Sequence, residues 1–201
     1  NATYNGADLG WGNGNAPENF AGWMANWNHG TINIDGVGVI QREAVQMVGR
    51  PWTRMAPTHE AIKKFDAIDK DSRFDGTFVT MYYGNWKKAG IANESVTGAN
   101  GMPIKNGERV LTFVPTVVDG IAYSEAGQGN ANVGAGVVAG RADFVIDING
   151  FSRIKFPALW KLIGERGDNN GGLGSPNAAS TRPYNILKFS DFYLTGAEAA
   201  V

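Results

Sequence analysis

The side chains best suited to chemistry in this chain are aromatic rings set among glycines and asparagines: Trp11, Trp23, Trp27, Tyr83 and Trp86, with Asn26 beside the Trp23/Trp27 pair. A pyranose presents a flat face of C–H groups that stacks on Trp or Tyr. Asn, Asp, Arg and backbone groups then take the hydroxyls. Trp23 and Trp27 stand four apart, so a short helix over Pro17 to Trp27 would place both rings on one face. Asn26, Asn28 and His29 offer hydroxyl partners, and a solvated turn is their competing role. For the rings, the competing role is to pin long loops to the core. Trp52 and Trp160 lie in apolar context and are expected inside.

Other chemistries find little support. The two histidines, His29 and His59, have no second ligand four residues on, and there is no cysteine, so no metal site is expected. His59 is expected in the first turn of a helix. Asp69, Asp71 and the Asp75–Gly76 step do not follow the spacing of a calcium loop and lack its closing glutamate. Asp71 and Arg73 read instead as a helix-end charge cluster. A glycosidase needs two carboxylates about 5–9.5 Å apart across a cleft. Asp143 and Asp147 sit four apart in one extended run, roughly 13 Å, which is too far. Gly134, Gly136 and Gly140 do not have the dinucleotide spacing, and no nucleophile elbow is present. None of these patterns nominates a catalytic pair, other carboxylate pairs stay open, and no cofactor is expected.

The elements that would carry these side chains follow from composition and pattern. The chain has 201 residues and net charge −1; 43% of residues are hydrophobic and 18% charged. That supports one packed core and argues against nucleic acid, since no basic stripe exists to displace phosphate counterions. Glycine is in excess, 28 residues against an ordinary share of roughly 7%, so long ordered loops are expected at 1–35, 120–140 and 164–183. Thr58 is a candidate N-cap for a helix whose stripe is Ala61, Ile62, Phe65 and Ile68, ending at Asp69 to Asp71. Thr77 to Tyr83, Val110 to Val118 and Asp143 to Ile148 read as extended, with Pro115 placing the second at an edge or a bend. Phe151 to Ile163 is apolar and interrupted by Pro157. A last helix is expected near the end, capped by Ser190 or Asp191, with Tyr193, Ala197 and Val201 on one face that wants a partner. Because no C-cap follows, the chain is expected to be a fragment.

Two segments carry a resemblance. Pro57-Thr58, Phe65 and Asp71-Ser72-Arg73, followed by Lys188-Phe189, Asp191, Tyr193-Leu194 and Ala197-Glu198-Ala199, resemble in order and separation two motifs of the SusD/RagB family. Ile154-Lys155-Phe156-Pro157 lies between them where the family has a Lys- and Pro-bearing extended piece. Lys188-Phe189 departs from the usual Arg-Tyr, and Gly196 weakens the helix. The resemblance covers about residues 50 to 201. It implies that residues 1–201 are part of a single SusD-like domain whose parent fold is mainly α, with tetratricopeptide-type helix pairs and long loops. The fragment itself reads as loop-rich with a few helices and short β-strands. It also implies an outer-membrane lipoprotein of the Bacteroidetes cell surface, held by a lipid anchor that is not in this chain. Such a protein takes an oligosaccharide or peptide ligand and passes it to a SusC-like TonB-dependent transporter. The alternatives are a polysaccharide-acting hydrolase domain and a peptide-binding, transporter-clamping module.

Overall fold

The computed structural model describes residues 33–43, 56–65, 72–123, 136–152, 156–160, 170–174 and 189–200. Among the described residues the chain direction reverses first at a tight hairpin, β1 (Asn33–Ile34) against β2 (Val37–Gly38). Its two central residues both have positive φ, Asp35 at 53° and Gly36 at 76°. That is the type I′ turn whose twist matches the flanking strands, and Asp-Gly is a favoured pair for it. The Asp35 carboxylate also accepts from the Thr97 N–H at 2.6 Å, tying the hairpin to a later segment.

The short helix α1 (His59–Lys63) begins as expected: Thr58 Oγ1 accepts from the Ala61 N–H at 3.1 Å. It ends early, at a Lys64 C-cap, where the sequence pattern continues to Ile68. Ala61 is exposed, Ile62 is fully buried and Phe65 leans past the helix end onto other rings. Phe65, Phe74 and Phe78 meet with centroids 5.3–5.9 Å apart. Phe65, just past the C-cap, packs into this ring cluster. His59 stands in the first turn as expected, its Nε2 3.2 Å from the Phe151 carbonyl.

After α2 (Arg73–Thr77) come β3 (Phe78–Val79) and β4 (Met81–Tyr83). The main sheet is mixed and five-stranded, in the order β4, β7 (Arg109–Phe113), β10 (Phe144–Ile146), β9 (Gly136–Val137), β8 (Ala122–Tyr123). β7 and β10 run parallel with Leu111 opposite Phe144, and every other neighbouring pair is antiparallel. β7 and β10, two of the three inner strands, are buried on both faces, which explains their unbroken apolar runs Val110-Leu111 and Phe144-Val145-Ile146. β7 is therefore central, not an edge. Pro115 lies beyond its last bond, from the Val114 N–H to the Ile146 carbonyl, where a residue without an N–H costs no ladder bond. Two further pairs complete the sheets, β5 (Ser95–Thr97) with β6 (Pro103–Lys105) and β3 with β11 (Ala158–Leu159). The expected loop over 120–140 thus carries strands at both ends. Tyr82, Phe113 and Phe151 continue the core through edge-on contacts at 6.1 and 5.7 Å.

This architecture overturns the expectation of a mainly α, helix-pair fold. Among the described residues, α-helix is confined to α1, α2 and α3 (Phe189–Ala199), and most of the core comes from strands and loops. The physical reason lies in β7 and β10: β-branched and aromatic residues in short runs between Gly and Pro satisfy their backbone in a sheet. α3 forms over the expected region, but Ser190 and Asp191 fall inside its first turn instead of capping it. Its apolar side chains are solvent-facing, with Phe189 74% and Tyr193 68% exposed, and none of its residues is buried.

Candidate ligand-binding surface

β4 is an edge strand, and its alternation sorts its side chains. Tyr82 points into the core at 1% exposure, whereas Tyr83 is 43% exposed. The register against β7 shifts between Tyr82 and Tyr83, bringing Tyr83 opposite Arg109. Such a bulge re-aims a side chain at a sheet edge. The Tyr83 hydroxyl donates to Met81 Sδ at 3.7 Å, so the phenol reaches back along its own strand. The result is an exposed ring beside an exposed guanidinium-bearing position, a combination able to stack on a sugar face and donate to its hydroxyls.

Trp86 has a different place. It is fully buried, and its Nε1–H donates to the Asn93 carbonyl at 2.8 Å. The indole folds back over Gly84, where an added Cβ would stand 2.2 Å from the ring. Glycine is needed there to let the ring lie on the backbone. Trp86 therefore anchors the 84–93 turn from within the core and offers no face to a ligand. Trp160, expected in the core, is 37% exposed. Trp11, Trp23, Asn26 and Trp27 lie outside the described residues, as do Asn28, His29 and Trp52.

Behind Trp86 a polar network joins distant segments. Asn85 accepts from the Gln41 N–H at 2.6 Å and donates from Nδ2 to the Gln41 carbonyl and to Glu43 Oε2, both at 3.0 Å. Glu43, 3% exposed, is also ion-paired to Lys88. A buried carboxylate requires such partners.

The two acids of the central strand region are each committed to structure. Asp143 receives the Thr112 hydroxyl at 2.6 Å and Arg141 Nη2 at 2.6 Å, with Arg141 Nε 3.0 Å from its other oxygen. Burial pushes its carboxyl up, but the Arg141 and Thr112 hydrogen bonds outweigh burial and hold it below the usual carboxylate range. The same fork-to-carboxylate pairing raises Arg141 further above its already high value. Asp147, fully buried, accepts from the Tyr123 hydroxyl at 2.6 Å, the Val118 N–H at 3.0 Å, and the Asn149 and Gly150 N–H groups at 3.1 and 3.2 Å. The Tyr123 hydroxyl is raised in pKa, first by burial and then by its bond to Asp147. Asp143 thus holds three protein donor bonds and Asp147 holds four. Asp75, considered for calcium, accepts from the Thr80 hydroxyl at 2.9 Å. Among the described residues no three His, Cys, Asp or Glu side chains converge as a metal site, and no helix is long and apolar enough to cross a membrane.

Of the residues expected at the site, the described part places only Tyr83 on the surface. Arg109 was not anticipated; the signal that could find it is the cross-strand register, which a single strand pattern does not contain. Compared with protein-family models and with curated proteins, the chain matches none.

Proposed function

We propose that this chain is a non-enzymatic, cell-surface glycan-binding protein that captures oligosaccharide by ring stacking and hydrogen bonds, then passes it to a TonB-dependent outer-membrane transporter. The observation that carries the reading is Tyr83, held half-exposed on an edge strand beside Arg109 by a register shift. The ordered pair of segments that resembles SusD/RagB motifs, Pro57-Thr58 to Arg73 and Lys188 to Ala199, is the second support for the reading. The protein donors that Asp143 and Asp147 accept favour capture over hydrolysis at that strand. The transporter-clamping alternative draws on the solvent-facing Phe192, Tyr193 and Leu194 of α3, a face suited to protein contact.

The test is calorimetric titration of the whole chain with a panel of neutral and acidic oligosaccharides. Tyr83→Ala is expected to weaken binding roughly two- to tenfold, the worth of one stacking ring, with stability unchanged. A Trp23→Ala/Trp27→Ala variant measures the loop rings separately. Absence of binding across the panel, or unchanged affinity in both variants, would refute the proposal; glycan turnover by the unaltered chain would favour the hydrolase.

A further inference from the structure

The chain contains Asn-Gly pairs, the sequence most prone to spontaneous loss of the asparagine amide, because glycine leaves its own backbone nitrogen unshielded. Four of them fall in the described residues: Asn100-Gly101, Asn106-Gly107, Asn149-Gly150 and Asn170-Gly171. The reaction needs two freedoms. The asparagine side chain must swing its Cγ onto the next backbone nitrogen, and that N–H must be available to lose its proton.

Three pairs are denied one freedom or both. Asn100 Nδ2 donates to the Val138 and Arg141 carbonyls at 2.7 and 2.8 Å, which locks the side chain away from Gly101. Asn106 Oδ1 accepts from the Lys87 N–H at 3.0 Å, and the Gly107 N–H donates to the Gly84 carbonyl at 2.7 Å. At Asn149 the nucleophile itself is held: the Gly150 N–H donates to the Asp147 carbonyl at 2.9 Å and to its carboxylate at 3.2 Å. Asn170-Gly171 differs from all three. Both residues are exposed, and among the described residues neither the Asn170 amide nor the Gly171 N–H has a partner. The turn carries consecutive positive φ values of 44° and 81°, so a glycine follows the asparagine for a conformational reason.

We infer that Asn170 is a site of self-modification, the first of these four to deamidate in the folded protein. The Gly171 nitrogen, its proton removed by solvent base, attacks Asn170 Cγ. The new C–N bond closes a succinimide while the Cγ–NH2 bond breaks, and ammonia leaves with a proton from water. Water then opens the ring at either carbonyl, giving aspartate or isoaspartate. Overall one water is consumed and one ammonia released, with no oxidant or enzyme. The product adds one negative charge to a surface turn and, in the isoaspartate form, one extra backbone carbon.

The experiment is incubation of the whole chain in mildly alkaline buffer, followed by proteolysis and tandem mass spectrometry. Trypsin cleaving after Arg166 and Lys188 isolates the segment, since Pro183 blocks cleavage after Arg182. Asn170 is expected to convert roughly tenfold faster than Asn100, Asn106 or Asn149, the effect of about two ordinary hydrogen bonds that the others must break first. In urea-unfolded protein the spread should collapse, because all four pairs then have equal freedom. In Asn170→Gln the deamidated form of that peptide, the leading one among these four sites, should be missing from the peptide map. Equal native rates at the four sites, or a lead for Asn170 that persists unchanged after unfolding, would overturn the inference.

Discussion

Removing the Asp147 carboxylate should loosen the 118–123 segment from the central sheet. The carboxylate takes four donors, but they are not equal. The Gly150 N–H has a second acceptor in the Asp147 carbonyl at 2.9 Å, and Tyr123, 39% exposed, can turn its hydroxyl to water. That leaves the Val118 and Asn149 N–H groups stranded in Asp147→Ala, at about 1–3 kcal/mol each when buried. Asn149 is exposed and its share is relieved by solvent, so the expected loss is about 3 kcal/mol. Asp147→Asn keeps one acceptor oxygen but turns an NH2 toward a donor, for about 1–2 kcal/mol. Tyr123→Phe removes a hydroxyl that both donates to the carboxylate and accepts from the Asp147 N–H at 2.9 Å, again about 1–2 kcal/mol. The double variant should cost less than the sum, since both changes break the same bond. Urea titration measures this: with a slope of about 2 kcal/mol/M, Asp147→Ala moves the midpoint down by about 1.5 M. A shift within about 0.2 M, or additive losses in the double variant, would refute the reasoning.

Three further outcomes rest on the same structure. Trp86→Ala should destabilise by about 3–5 kcal/mol through the cavity it leaves, and Gly84→Ala by about 1–3 kcal/mol through overpacking on the indole; thermal unfolding measures both. Asp143, whose folded carboxyl titrates below its unfolded value, contributes stability that is present above pH about 4 and is lost as pH falls through the lower folded pKa. Asp143→Asn should therefore flatten the acid limb of a stability-versus-pH curve, and an unchanged limb would contradict the Arg141–Asp143 assignment.

Local signals in the sequence translated well where one element sufficed. The Thr58 cap, the apolar run at 144–146 and the helix around Tyr193 needed only neighbours in sequence. The Asp35-Gly36 hairpin was equally local, a turn pair between apolar residues, but the long Gly/Asn stretch before it masked the signal. What stayed hidden was pairing. Val110-Leu111 reads as strand from composition, yet its central position depends on Phe144 arriving alongside. Trp86 had the loop setting of a surface ring; its burial comes from Gly84 beneath and the Asn93 carbonyl at its nitrogen. The helix-pair expectation failed for the same reason, since motif order does not specify which strands will meet.

The position of β10 between β7 and β9 has a kinetic consequence. β7 reaches its antiparallel neighbour β4 early, but its other edge has no strand until residues 144–146 arrive. During synthesis the nascent chain therefore carries an open, apolar strand edge across the whole span from Phe113 to Phe144. Parallel closure over that span is entropically slow, and an unpaired hydrophobic edge is a template for association with other chains. The step that completes the sheet is thus also the one that ends the chain's exposure to misassembly, and substitutions in Phe144-Val145-Ile146 should register first as lower soluble yield before they register as lost stability.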